Sequence, residues 1–223
     1  MKAWKMRMVV WSAVRLIGVL AIGAALTGCV GAVGVHRNAH SEDSRFTAIV
    51  ADLKPALERV SAAEDYRYPC LWGRCHRILP TIVAQNSTTA GWAGMWAGYT
   101  NESGHNLIVV NLAHLGDTPR WLQRSALAHE IGHWVRWSPT HYWRPKTCSK
   151  SNRLGCEIGA NIEAVHVLVL GWGVPHDEAV GQIHAMLVRL DMLSGGKPSK
   201  SGDHDHKAEL EAFRQAFGCS DPT

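Results

Sequence analysis

The segment His129-Glu130-Ile131-Gly132-His133 decides how the middle of this 223-residue chain folds. Histidines four residues apart lie on one face of an α-helix, with their Cβ atoms roughly 5–6 Å apart. Both imidazoles can then reach one zinc ion, and the carboxylate of Glu130 can act on a water bound to it. The segment predicts His129 and His133 as metal ligands and Glu130 as a general base. The simpler alternative is an amphipathic helix with polar residues on its outer face.

The residues around this segment favour a helix over 118–137. Asp117 or Thr118 can cap its start, and Pro119 suits a first helical position, where no N–H is needed. No proline follows inside the helix, and apolar residues recur with a helical period. We therefore expect the two histidines to lie in the middle of a helix.

A second predicted helix, over 156–171, can supply a third ligand. A catalytic zinc site needs three protein ligands and one open position. Glu157 and Asn161 share a helical face, so Glu157 can ligate the metal while Asn161 hydrogen-bonds the free ring nitrogen of a zinc-bound histidine. Glu163, on a different face, is the competing ligand. We favour Glu157 because only Glu157 has a polar partner four residues on.

Two apolar segments, residues 77–85 and 106–111, have the composition of β-strands. Their position before the motif helix fits an edge strand beside the site, which could hold an extended peptide by strand addition. Trp92 and Trp96 lie among glycines and could line a substrate cleft or simply pack a glycine-rich hairpin.

Three further helices are predicted, over 44–61, 177–193 and 207–218. In the first, Ser44 is a candidate cap, and Pro55 is expected to kink or break the helix.

The two motifs together resemble those of the gluzincin-type zinc metallopeptidases, and among them the small ImmA/IrrE-like group. That group carries H-E-x-G-H on one helix and E-x-x-A-N-x-x-A on the next, matched here at 129–133 and 157–164. The match extends over about residues 75–180, including a hydrophobic run that ends at Pro175. The resemblance implies an α+β, zincin-like metallopeptidase domain. In it, a small, mostly antiparallel sheet packs on the H-E-x-x-H helix and on a second helix that bears a glutamate.

The same resemblance implies a role for each matched residue. His129, His133 and Glu157 would bind one Zn2+ per chain, Glu130 would be the general base, and Asn161 would support a ligand. Members of the group are usually cytoplasmic, so their gene-regulatory role is not carried over to a chain with an export signal.

The N-terminus has the pattern of an export signal. Residues 1–15 are basic and contain no acid, and residues 16–26 are apolar, too short to span a bilayer but right for a signal-peptide core. The segment ends Leu26-Thr27-Gly28-Cys29, which resembles the lipobox of bacterial lipoproteins and makes Cys29 the predicted lipidation site. An ordinary signal peptide and an uncleaved anchor are the alternatives. Val30 after the cysteine favours the periplasmic face of the outer membrane.

The export signal also explains the charge. The chain has 23 basic and 19 acidic residues. The excess is accounted for by Lys2, Lys5, Arg7 and Arg15, all within the signal, so the processed chain is near neutral. No basic stripe with interleaved aromatic residues is present, so we expect no nucleic-acid partner.

Export places the remaining cysteines in an oxidising compartment, where disulfides are the default. Local pairing would join Cys70 to Cys75 and Cys148 to Cys156, leaving Cys219 free. The rival interpretation is a second zinc site built from thiolates, but the spacings are wider than those of structural zinc sites.

The predicted organisation is simple. Its parts are a lipoprotein signal peptide (1–28), a tether (29–43), a zinc metallopeptidase domain (44–193), a flexible linker (194–206) and a C-terminal helix (207–223). Within the linker, Asp203-His204-Asp205-His206 could bind metal loosely, but a solvated polar turn is the expected state.

These features predict a membrane-anchored, monomeric zinc metallopeptidase that hydrolyses peptide or protein substrates in the cell envelope. His141, Tyr142 and Arg144 are candidates to stabilise the oxyanion. Two alternatives stay open: a non-catalytic zinc-binding envelope lipoprotein that acts as an interaction platform, and a zinc hydrolase of peptidoglycan cross-links.

Overall fold

The computed structural model describes residues 43–63, 68–70, 73–75, 79–86, 97–100, 106–137, 152–198 and 204–219. These residues form six helices and five short strands, an α+β arrangement dominated by helices. The helices are α1 (Ser44–Ala62), α2 (Leu112–Leu115), α3 (Arg120–Trp137), α4 (Arg153–Trp172), α5 (His176–Ser194) and α6 (His206–Phe217). The strands are β1 (Tyr68–Cys70), β2 (Gly73–Cys75), β3 (Thr81–Gln85), β4 (Ala97–Thr100) and β5 (Leu107–Asn111).

Among the described residues, the main sheet has three strands in the order β3-β5-β4 and is mixed. Strand β5 pairs parallel with β3, aligning Ile82 with Ile108, and antiparallel with β4, aligning Gly98 with Val109. The prediction of a mostly antiparallel sheet is therefore wrong for this sheet. Of the two segments predicted as strands, 77–85 contains β3, which is an edge of this sheet, whereas 106–111 contains β5, the central strand, whose alternate residues Ile108 and Val110 are buried.

The core of the domain is built around α4, which packs on α1, α3, α5 and α6. Helix α4 is long and apolar enough to cross a membrane by length and composition, but half of it is buried. Its central residues Val165 and Leu168 are fully enclosed. Packing in the domain core accounts for the apolar composition of α4.

Gly132 lets α3 and α4 approach closely at the level of the motif. A Cβ at this position would lie 2.6 Å from the carbonyl oxygen of Ala160 and 3.2 Å from its Cα. Both are backbone atoms, so the helices would have to separate to accept a larger residue. The glycine inside the motif therefore sets the distance between the two helices that carry the candidate ligands.

Helix α1 differs from its prediction at two points. Asp43, not Ser44, caps it, because the Asp43 carboxylate accepts a hydrogen bond of 2.8 Å from the backbone N–H of Arg45. Pro55 neither breaks nor ends the helix. Pro55 and Ala51, four residues before it, are both exposed, so the proline lies on the solvent side of the helix, where water can replace a missing hydrogen bond.

The contacts at the start of α3 differ from the predicted cap by Asp117 or Thr118. Asp117 forms an ion pair with Arg45 at 2.8 Å, and the Thr118 hydroxyl donates to the carbonyl of Leu115 at 2.8 Å. The side-chain amide of Gln123 donates to backbone carbonyls of the preceding turn, Gly116 among them, at 3.1 Å. These hydrogen bonds link the preceding turn to α3.

The predicted disulfides stay predictions. Cys70 and Cys75 lie on the paired strands β1 and β2, where Cys70 aligns with Gly73 and Cys75 aligns with Tyr68. Cys148 lies outside the described residues, and Cys156 is buried on α4.

Candidate metal centre

Three side-chain donor atoms converge between α3 and α4. The Nε2 atoms of His129 and His133 are 3.0 Å apart. The Oε2 atom of Glu157 lies 3.1 Å from the first nitrogen and 3.0 Å from the second. All three side chains are nearly enclosed, with between 11% and 12% of their surface exposed. Such a triangle of lone pairs is held together by a shared proton or by a metal ion.

The structure separates the two glutamates that compete for the third ligand position. Glu157, one turn into α4, faces the histidines of α3. The Glu163 carboxylate instead lies 3.7 Å from Nδ1 of His166, three residues further along α4. Of the two, Glu157 is the one that reaches His129 and His133.

The charge of Glu157 depends on the histidines. Burial raises the pKa of its carboxyl, but hydrogen bonds and positive charge from His129 and His133 outweigh burial and lower that pKa well below its usual value. The carboxylate therefore stays ionised, which is the form that ligates a metal.

Glu130 completes the first group. Its carboxylate, His129 and His133 each offer a ligand atom, and these atoms all lie within 4.8 Å of one another. Glu130 is 8% exposed, so its carboxylate is held beside the imidazoles rather than in solvent. A group in this position can exchange a proton with a molecule bound next to the two histidines.

Asn161 fixes the orientation of one histidine, and Glu209 on α6 fixes Asn161. The Asn161 Nδ2 donates to Glu209 Oε2 at 3.1 Å. A carboxylate can only accept, so Oδ1 of Asn161 must face His129, whose Nδ1 lies 2.7 Å away. When the ring is neutral, His129 therefore carries its proton on Nδ1, and its Nε2 lone pair points into the triangle of ligand atoms.

Glu209 and two nearby histidines form a second group that the sequence analysis did not assign to the site. His204 Nδ1 lies 3.3 Å from Glu209 Oε1, and His206 Nδ1 lies 3.7 Å from the same oxygen. His204 also lies 3.7 Å from Oε2 of Glu157. The expectation of a solvated turn is wrong for these two histidines, which are 33% and 18% exposed.

The second group is strongly coupled electrostatically. Burial lowers the pKa of His204, but the Glu209 hydrogen bond and the charges of Glu157, Glu209 and Glu130 raise it to about 9. Burial raises the pKa of Glu209, but His204 and His206 lower it to about 2. A sequence signal was available: His206 and Glu209 are three apart, so they share a helical face.

Several predicted site residues lie outside the described residues. They are Cys29, Trp92, Trp96, His141, Tyr142, Arg144 and Cys148.

Two groups of histidine and glutamate in the described part of the chain could thus hold a metal ion. Comparisons with protein-family models, with curated proteins and with solved structures found no match for this chain. The functional argument therefore rests on the geometry of these residues.

Proposed function

We propose that this protein is a zinc-dependent metallopeptidase with a zincin-like catalytic domain. The observation that carries the proposal is the convergence of His129 Nε2, His133 Nε2 and Glu157 Oε2 within 3.0–3.1 Å, beside the Glu130 carboxylate. Two imidazoles and one carboxylate form a ligand set known from catalytic zinc sites, with a fourth position left for water.

The donor geometry fits zinc. Ligands at about 2.0–2.1 Å from a tetrahedral ion lie roughly 3.3 Å from one another. The observed separations of 3.0–3.1 Å are within a few tenths of an ångström of that spacing. A small outward movement of the side chains would bring the separations to that spacing.

The proposed reaction is hydrolysis of a peptide bond by water. A bound zinc supplies Lewis acidity, which lowers the pKa of water in the open position and polarises the scissile carbonyl. Glu130 accepts a proton at its carboxylate as the water attacks, and delivers that proton to the amine nitrogen as the C–N bond breaks. Asn161 keeps the His129 proton on Nδ1, away from the ligand triangle.

The sheet supports binding of an extended substrate. Among the strands in the described part of the chain, β4 is an edge of the main sheet, and it packs on α3, the helix that carries both histidines. An edge strand presents unpaired backbone groups that can bind a peptide by strand addition. We therefore assign the peptide-docking edge to β4 rather than to β5.

We infer an envelope location from the N-terminal sequence. The basic segment, the apolar segment and the cysteine at position 29 have the order of a lipoprotein signal. Lipid on Cys29 would anchor the domain at the membrane surface, on the periplasmic face of the outer membrane, without a spanning helix.

The test is a Glu130→Gln variant of the full chain. We expect peptide hydrolysis to fall by about 10²–10⁴-fold while zinc remains bound, since the amide cannot accept the proton. Glu163→Gln, on α4, is the matched control and should keep wild-type activity. Full activity in Glu130→Gln would rule out the base assignment.

Two substrate assays separate the remaining candidates. Release of peptides from casein supports the peptidase proposal, and digestion of purified cell wall alone would favour the hydrolase of peptidoglycan cross-links. A wild-type protein that binds zinc but hydrolyses neither substrate would favour the interaction platform.

A further inference from the structure

We propose that His204, His206 and Glu209 form a second divalent-cation site beside the first. The cation would be one that imidazole and carboxylate side chains bind well, such as Zn2+. This inference does not depend on peptidase activity, because it concerns binding by a separate set of side chains.

The geometry of the three donors supports a shared ion. Their ligand atoms all lie within 4.8 Å of one another. Glu209 Oε1 is 3.3 Å from His204 Nδ1 and 3.7 Å from His206 Nδ1. These separations match those between neighbouring ligands of one ion, which are roughly 3.3 Å when each ligand is about 2.0–2.1 Å from the metal.

One ring nitrogen of this group, Nδ1 of His206, lacks a hydrogen bond to the described residues. His206 Nδ1 is buried, and within the described part of the chain it makes no hydrogen bond. Its distance of 3.7 Å to Glu209 is too long for one. A buried, unsatisfied ring nitrogen is costly, and a metal ion would satisfy it.

The backbone holds these ligands in place. Asp205 caps α6 through a hydrogen bond of 3.0 Å from the N–H of Ala208, which fixes the turn between the two histidines. His206 and Glu209 occupy the first turn of α6 and share one face. Glu209 is 2% exposed, so its carboxylate is held inside the protein beside the two imidazoles.

Glu209 also connects the two sites. Its Oε2 accepts from Asn161, which contacts His129, while its Oε1 faces the second group. One carboxylate thus orients a ligand of the first site and contributes a ligand to the second. The two ions would lie close together, since His204 is 3.7 Å from Glu157.

The test is zinc stoichiometry of the purified full chain, stripped with chelator and dialysed against Zn2+ raised stepwise. We expect two ions per wild-type chain, one in His206→Gln, one in His204→Gln and one in His133→Gln. His176→Gln, which alters an exposed histidine at the start of α5, is the matched control and should bind two. Circular dichroism confirms that each variant is folded.

The outcome for each site can be told apart. If His206→Gln and His204→Gln bind as many ions as the wild type, the second site is overturned. If His133→Gln binds as many as the wild type but His206→Gln loses one, the first site fails and the second stands. Should both histidine variants of the second group unfold, wild-type binding of a single ion that His133→Gln removes would still overturn the proposal.

Discussion

Two polar clusters occupy opposite ends of the α3–α4 pair, and they are satisfied in opposite ways. At one end, Asp52 of α1 accepts hydrogen bonds from Arg120 at 2.6 Å, from Arg124 at 2.8 Å and from the indole of Trp172 at 3.0 Å. One carboxylate there meets two permanent cations and a neutral donor, so every group has a partner supplied by the protein.

At the other end, His129, His133 and Glu157 present lone pairs to one another at 3.0–3.1 Å. The donors of the Asp52 cluster are two guanidinium groups and an indole N–H, whereas the contacts among these three lone-pair atoms require a shared proton or a metal. The contrast indicates how to recognise an ion-binding cluster: its buried hydrogen-bond acceptors outnumber its hydrogen-bond donors.

Among the variants that test this contrast, Asn161→Ala should have the largest effect. Removing the acceptor for His129 Nδ1 frees the ring to turn and to change tautomer, so zinc affinity should fall by about 10–100-fold. Chelator competition measures the affinity. Gln215→Ala, an exposed amide on α6, should leave it unchanged; unaltered affinity in Asn161→Ala would show that the hydrogen bond does not position the ligand.

A smaller effect is expected from Gly132→Ala. The added Cβ would be 2.6 Å from the Ala160 carbonyl oxygen, so α3 and α4 must shift apart. We expect a loss of about 1–2 kcal/mol in unfolding free energy, together with weaker zinc binding. Gly181→Ala, where a Cβ meets nothing within 4 Å, is the control and should be neutral or stabilising in denaturant titration.

The smallest effect should come from the Asp52 cluster. Burial raises the pKa of Asp52, but hydrogen bonds from Arg124 and Arg120 outweigh it and lower the pKa from 3.8 to about 2. Because the folded pKa is depressed, the contribution to stability is present above pH 3.8 and is lost as the pH falls towards 2.

Asp52→Asn should therefore cost about 1 kcal/mol at neutral pH, after allowance for solvent screening, and should remove this part of the acid destabilisation. Urea unfolding followed across the acid range measures both effects. Zinc binding should be unchanged in the variant. Loss of zinc in Asp52→Asn would mean that the two clusters are not independent and would contradict the contrast drawn between them.

Local spacing predicted more of the candidate centre than long-range contacts did. His129 and His133 are one helical turn apart, and so are Glu157 and Asn161, so each pair could be placed on a helix face from sequence alone. The structure brings these two faces together. Glu209 could not be placed in this way, because its contact with Asn161 joins positions 48 residues apart.

The difference between local spacing and long-range contacts also explains why the position of β5 in the sheet and the effect of Pro55 on α1 were not predicted. Residues 107–111 could be recognised as a strand from their apolar composition, but their central position depends on β4, a four-residue strand with a weak pattern. Whether Pro55 breaks α1 depends on which side of the helix faces solvent at Ala51 and Pro55, and the sequence pattern did not reveal that.

The most direct test of the central claim is the zinc content of the full chain compared with Glu157→Ala and Glu163→Ala. The two variants remove glutamates from the same helix, but only Glu157 reaches the histidines. The account predicts that Glu157→Ala binds one zinc fewer than the wild type and that Glu163→Ala binds the wild-type amount. Equal zinc in Glu157→Ala and the wild type, or loss of zinc with Glu163→Ala alone, would contradict it.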